Sequence, residues 1–465
     1  MSTAPPPAMA RAGEAAMSSP SGKRADLVSG LRARHKARRD TPAAPPRASA
    51  TGLRVKPYDF ADLPDLKSLA MMETAAATFD LKPPFFRCHD GLPGAEQEID
   101  GTRAINFASY NYLGLNGDPR LAEAAKAAID VWGVSAAASR VVGGERPYHR
   151  DLEEKLASLY GAEDAVVMVS GHATNVTTVG ALMGPEDLVC LDALSHNSVV
   201  EGVRLSGAQR VNFPHNDLDW LDRHLSRARH RHRHVLIAVE GLYSMDGDSP
   251  DLARLIEIKT RHEAWLMVDE AHGLGVLGAS GRGLAEAQGV DPASVEIWMG
   301  TLSKTLASCG GYIAGSKNLI KYLKFKAPGF VYSVGLSAPL AATASRAIDL
   351  MLAEPERVER LQRNGRHFRD AVREAGLDPG FSEGSAVTPV IIGDSMKAVA
   401  LSHMLLDQAE VNALPIIHPA VPEQSARLRF FITSEHRPDQ ITHAIRETAR
   451  LKAEVDRLAA QLQSG

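Results

Sequence analysis

The chain has 465 residues, enough for two to four domains at roughly 100–200 residues each. Its 52 Lys and Arg nearly balance 56 Asp and Glu, a net charge of −4, so no overall basic field advertises nucleic acid. Three scattered cysteines exclude a disulfide scaffold and point to a reducing, cytoplasmic setting, and no apolar run approaches the ~18 residues of a membrane span.

Residues 1–55 carry ten Lys and Arg against Glu14, Asp26 and Asp40, with few apolar side chains. That composition predicts a disordered basic extension. An Arg-rich, acid-poor start also fits a transit peptide, which would make the destination mitochondrial; a secretory signal is excluded because no apolar core region is present. Residues 56–105 read as an arm leading into folded α/β chain. Leu152, Leu156 and Leu159 share one helical face, which Gly161 closes. Ala165–Ser170 is an apolar run of strand length, and the pattern recurs at Val235–Val239, Ala264–Val268 and Ile297–Gly300. Ser249-Pro250-Asp251 predicts a helix start, with Ser249 as the cap. Apolar strands alternating with helices imply a large, mostly parallel sheet with helices on both faces over residues 106–337. From residue 338 the texture changes to helices with strands at Val387–Ile392 and Arg427–Thr433, then a long helix from Pro438. This predicts a smaller C-terminal α+β domain over 338–465.

In open α/β sheets, functional groups collect at the carboxyl ends of strands. Those ends read Ser170-Gly-His172, Leu194-Ser-His196, Glu240-Gly-Leu-Tyr-Ser244, Asp269-Glu-Ala-His272 and Thr301-Leu-Ser-Lys304. Together they offer acids, histidines, hydroxyls and one lysine. Each has a plainer reading by itself: a strand-end cap, a solvated lysine, a surface ion pair. His149 reads as structural and Cys309 as a small buried side chain. The tract Arg223–His234 reads as a solvated basic surface, since arginines between its histidines repel a metal cation. Asp246-Gly-Asp248 lacks the further ligands of a calcium loop.

The set as a whole resembles the α-oxoamine synthases, pyridoxal-phosphate (PLP) enzymes of fold type I. The motifs that carry the resemblance are Asn111-Tyr-Leu-Gly-Leu115, Leu194-Ser-His196, Glu240–Asp248, Met267–Gly273, Gly281-Arg-Gly283, Thr301-Leu-Ser-Lys304 and Ala426-Arg-Leu-Arg429. They follow the family order over roughly three quarters of the chain. The resemblance implies that Lys304 binds the PLP aldehyde and that Asp269 keeps the pyridine nitrogen protonated. It further implies that His272 meets the ring phenolate oxygen and that His196 stacks on the ring. Ser244 and Thr301 would supply hydroxyl contacts, and the Gly171-His172 backbone would hold the phosphate at a helix start. Arg427 would hold the substrate carboxylate, with Asn111 near it.

The implied activity is decarboxylative condensation of glycine, alanine or serine with an acyl thioester, in a homodimer with shared active sites. The acyl donor could be coenzyme A or an acyl carrier protein, and the basic tract could dock the latter. The alternatives are a fold-type I aminotransferase and a non-catalytic subunit, the second opposed by the presence of Lys304. Two stretches depart from the family pattern. Tyr332–Pro339 keeps Ser333 as a hydroxyl for the partner subunit's phosphate but replaces another with Val334, and Gly133–Arg140 is also altered. Both alterations bear on the acyl donor and lean toward a specialised one.

Overall fold

The computed structural model describes residues 59–67, 69–70 and 84–464, so the expected basic extension lies outside the described residues. The chain divides into two units, Met1–Ala70 and Met71–Gly465. In the first, a short 3-10 turn at Phe60–Asp62 is capped by the Asp59 carboxylate, which accepts from the Ala61 N–H.

The second unit opens with strands β1 (His89–Asp90), β2 (Glu96–Ile99) and β3 (Thr102–Asn106). Asp100 and Gly101 join β2 to β3 with φ of 50° and 79°, the left-handed pair that a two-residue hairpin requires. Helix α1 (Pro119–Trp132) starts at the Asp118 cap, and α2 (Pro147–Leu159) follows. Helix α2 begins five residues before the apolar periodicity, which starts at Leu152. Pro147 is preset for the first turn, and the His149 ring accepts from the Arg146 N–H. The other His149 nitrogen lies 2.8 Å from the Leu336 carbonyl, which gives this buried side chain a structural task.

A seven-stranded sheet then forms. Its members are β4 (Asp164–Met168), β5 (Leu188–Asp192), β6 (Gln209–Phe213), β7 (Val235–Glu240), β8 (Trp265–Asp269), β9 (Ile297–Thr301) and β10 (Gly311–Gly315), in the spatial order 4-10-9-8-7-5-6. Strands β6, β5, β7, β8 and β9 are parallel, whereas β10 runs antiparallel to both of its neighbours. Two apolar layers cover the sheet. One is built on Val167, Ile237, Val268 and Trp298, the other on Val166, Leu236, Met267 and Ile313. Successive residues of one strand feed opposite layers, so these strands need apolar side chains at every position.

Between the strands lie α3 (Gly171–Leu182), α4 (Asn197–Ser206), α5 (Leu218–Ala228), α6 (Leu252–Arg261) and α7 (Leu284–Gln288). The cap of α6 is Asp251 rather than Ser249, because its carboxylate accepts from the Arg254 N–H at 2.9 Å. The carbonyl of Pro250 is meanwhile taken by the Gln288 amide. After β10 come α8 (Lys317–Lys326), α9 (Pro328–Val331), α10 (Ala338–Ala353) and α11 (Pro355–Glu374). The chain ends in β11 (Val387–Gly393), α12 (Ser395–Ala409), β12 (Val411–Asn412), β13 (Leu414–Ile416), β14 (Ala426–Phe431) and α13 (Pro438–Ser464). Strands β11, β14 and β13 make an antiparallel sheet, while β12 pairs in parallel with β3. Among the described residues, no helix is long and apolar enough to cross a membrane.

One buried cluster ties the Asp246–Asp248 loop to the sheet. His215 sits between the Asp192 carboxylate at 2.9 Å and the Asp248 carboxylate at 2.8 Å, one on each ring nitrogen. Burial alone would disfavour the imidazolium, but the two carboxylates override it and hold the group up to about 10. An unfolded histidine titrates near ~6.5, so this stabilisation is fully present below that pH and is lost as pH rises toward 10. His215→Gln should therefore lower the melting temperature most below pH 6.5, with the deficit shrinking toward pH 10. A deficit that grows with pH would contradict this linkage.

Candidate active site

The carboxyl ends of β4, β7, β8 and β9, with the start of α4, converge on a cavity of about 230 Å³. Its walls include Gly171, His172, His196, Asp269, His272, Thr301 and Lys304. Seven of the residues expected from the sequence are thus brought together. A larger cleft of about 730 Å³ lies at the opposite ends of the strands, lined by Tyr160, Trp265 and Trp298, and lacks such a constellation.

Asp269 ends β8 inside the molecule. One carboxylate oxygen accepts from the Ala271 N–H at 2.9 Å and the other from the Asn175 side-chain amide at 2.8 Å. Lys304 lies in the turn after β9, its ammonium 5.4 Å from the Tyr110 ring centroid. Desolvation in the cleft brings Lys304 down to about 8, against the opposing pull of Asp269 and Glu240. A lysine so placed supplies a neutral amine at modest cost.

His272 is fixed by two aromatic neighbours. The Tyr112 hydroxyl lies 2.6 Å from His272 Nδ1, and the Phe431 ring stacks on the imidazole. Burial drives the Tyr112 phenol far above its ordinary value and His272 far below its own. The phenol therefore keeps its proton and donates, Nδ1 accepts, and Nε2 carries the histidine's hydrogen. Tyr112 was missed as a functional residue, although it lies inside the Asn111–Leu115 motif.

Gly171 opens α3 where there is no room for a side chain. A Cβ at this position would lie 2.8 Å from Thr301 Oγ1. The first residue of α3 therefore presents backbone without a side chain, while the Ser170 hydroxyl caps the helix by accepting from the Ala173 N–H at 3.3 Å. Glu240 contributes a second acid beside Asp269, its register partner on β8. Burial first, then the Asp269 charge, raises it to about 8, so near neutral pH it is largely the uncharged acid. Its Oε2 accepts from the Ser244 N–H, and its Oε1 is buried without a partner.

Four expected residues do not line this cavity. Ser244 is buried beside it and engages Glu240 through its backbone. The Asn111 amide donates to the Pro93 carbonyl at 2.7 Å and accepts from the Asn116 N–H, which is a turn-forming task. Ser333 lies in a separate small depression with Arg140 and Phe330. Arg427 is buried in an ion pair with Asp246 at 2.7 Å. The arginine whose charge bears on Lys304, His196 and His272 is Arg429. Arg429 holds the Ser244 carbonyl at 3.1 Å and lies over Phe431, with its Nε buried and unpartnered. Residues two apart on a strand share a face, so periodicity cannot choose between Arg427 and Arg429. Cys309 is exposed, contrary to the buried position expected from the sequence.

A mostly parallel sheet with a lysine and a buried carboxylate at adjacent strand ends defines the class: a fold-type I PLP-dependent transferase. The aminotransferase class I and II family matches residues 102–447. The 8-amino-7-oxononanoate synthase of Fervidobacterium nodosum is 39% identical over 355 residues, 76% of this chain and 89% of that protein. The serine palmitoyltransferase of Sphingobacterium spiritivorum is 36% identical over 376 residues, covering 80% of this chain and 93% of that one. Among solved structures, the Sphingomonas wittichii serine palmitoyltransferase superposes with a TM-score of 0.81 at 30% identity, covering 86% of this chain and 99% of that chain. A serine palmitoyltransferase from S. paucimobilis with bound PLP–myriocin aldimine gives 0.80 at 28% identity, covering 86% and 100%. The chain belongs to the aminotransferase class I and II family and, within it, to the α-oxoamine synthase group.

The family's cofactor is pyridoxal 5′-phosphate, and the side chains present fit it. A desolvated lysine, a buried carboxylate, a helix start opened by a glycine with no room for a Cβ and the unpartnered Glu240 Oε1 surround one cavity.

Proposed function

We propose that this enzyme condenses a small α-amino acid (glycine, alanine or serine) with an acyl thioester, releasing CO₂ and free thiol and giving an α-amino ketone. The observation that carries the reading is the placement of Lys304 and Asp269 at adjacent parallel strand ends, in one cavity with His196 and His272. Lys304, Asp269, His272, Thr301 and the start of α3 would hold PLP, which would supply an electron sink for the substrate Cα. The Asp269 carboxylate would keep the pyridine nitrogen protonated, and Nε2–H of His272 would be available to donate to the ring's phenolate oxygen. Lys304 Nζ would take the Cα proton. Arg429 and His196 orient the substrate carboxylate. A Cα–C bond then forms to the thioester carbonyl as the C–S bond breaks and the thiol leaves. Loss of CO₂ and return of a proton to Cα complete the balance.

Amino-acid-dependent thiol release tests this directly, using glycine, alanine and serine against short and long acyl groups on both coenzyme A and carrier protein. Keto-acid formation without thiol release would instead make the enzyme an aminotransferase.

We also read the enzyme as a homodimer. Support comes from Ser333, which lines a depression separate from its own cavity, and from exposed Val134, Val142 and Tyr332 on neighbouring segments. The boundaries 106–337 and 338–465 describe a cofactor-binding lobe and a smaller lobe that owns the β11–β14–β13 sheet. A cytoplasmic location suits three cysteines that all remain free. The basic tract supports carrier-protein docking less than its composition implies. The Arg229 guanidinium is spent on the carbonyls of His262, His232 and Glu263, and Arg233 pairs with Asp187.

A further inference from the structure

His196 caps α4 at the mouth of β5, and a chain of hydrogen bonds connects it to Asp269 through Ser198 and Asn175. The direction can be followed link by link from the carboxylate. A carboxylate only accepts, so the Asn175 contact at 2.8 Å must be made by its NH₂ group. The same NH₂ lies 2.9 Å from Ser198 Oγ, which accepts its second hydrogen. The Ser198 hydroxyl lies 2.7 Å from His196 Nδ1 with its hydrogen free to donate there. The Ser198 backbone N–H points at the same nitrogen at 3.3 Å, so Nδ1 receives two donors and carries no hydrogen of its own. Asn175 and Ser198 are 1% and 0% exposed, so water does not replace either link.

We infer that Ser198 and Asn175 are positioning residues that let the Asp269 carboxylate set the tautomer of His196, placing the hydrogen on Nε2. In the cleft His196 is then a hydrogen-bond donor and not a base. The inference rests on the proposed function only for what that donor meets. Protonating the imidazole would require a hydrogen on Nδ1 and would break the bond from Ser198. The charged and titratable groups around the ring are Asp269 on β8, Lys304 after β9, His172 on α3 and Arg429 on β14. Of these, only Asp269 favours the charged form.

The test is ¹⁵N NMR of the full-length, PLP-loaded enzyme labelled at histidine, with the His196 signals assigned by their loss in His196→Gln. The expected result is an unprotonated Nδ1 and a protonated Nε2 at neutral pH. In Ser198→Ala, a change small enough to leave the fold intact, the titration midpoint of His196 should rise by roughly half to one pH unit. That is the loss of one hydrogen bond to the neutral form alone. Ser198→Thr, which keeps the hydroxyl, should return it toward the wild-type value. A hydrogen on Nδ1 in the wild type, or a midpoint unmoved in Ser198→Ala, overturns the inference. Neither result depends on thiol release, so failure of the relay and failure of the proposed reaction are separately visible.

Discussion

Lys304→Ala is expected to leave a folded protein that has lost both the absorbance of lysine-bound PLP and turnover. Rate should fall by roughly 10²–10⁴-fold from the missing proton transfer alone. The fold should survive because Lys304 lines a cavity instead of filling a core layer. The partner measurement is borohydride reduction of the wild type followed by peptide mapping, which should place the pyridoxyl group on Lys304. The state of this side chain is set by a balance of forces. Desolvation favours the neutral amine, and Asp269 and Glu240 oppose it without cancelling it. Glu240 opposes weakly because its own burial keeps it largely protonated near neutral pH. Glu240→Gln should consequently be mild, whereas Asp269→Asn removes the full charge facing the ring and should be severe. Retention of both absorbance and full turnover in Lys304→Ala would remove the assignment of this cavity as the catalytic site.

What could be read from the sequence follows a physical division. Strands buried on both faces announce themselves as continuous apolar runs, and β4, β7, β8 and β9 were placed to within two residues. The carboxyl ends of β8 and β9 then delivered Asp269, His272 and Lys304, because a parallel sheet lines up such ends without further information, and His196 follows β5 at the same edge. Strand β10 escaped notice. It begins and ends in glycine, and Gly311 is required because a Cβ there would sit 2.7 Å from the Gly171 Cα. Such crowding is a property of packing, and no local pattern encodes it. The hydrogen-bond partners were equally hidden. Tyr112 lies 160 residues from His272 and Asn175 lies 94 from Asp269, separations over which sequence periodicity carries no signal.

The two arginines of β14 are expected to behave in opposite ways. Arg427 and Asp246 are both buried, and removing one member of such a pair leaves an uncompensated charge costing about 3–5 kcal/mol. Arg427→Ala should therefore lower the melting temperature sharply, and Asp246→Ala should do the same. Surviving folded protein should bind amino acid with a near-normal KM. Arg429 holds one backbone carbonyl and one sulfur, and its Nε has no partner. Its guanidinium is thus only partly committed, and its charge already bears on Lys304 and His272. A substrate carboxylate offers it the bidentate acceptor that the protein does not. Loss of a charge-assisted contact worth ~1.5–3 kcal/mol predicts that Arg429→Ala raises the amino-acid KM by roughly 10- to 150-fold, with little change in the KM for the acyl thioester. Arg429→Lys should restore the charge but not the planar fork, and so recover only part of the affinity. If Arg427→Ala instead raised the amino-acid KM while Arg429→Ala left it unchanged, the carboxylate would belong to Arg427, and its pair with Asp246 would have to open when substrate binds.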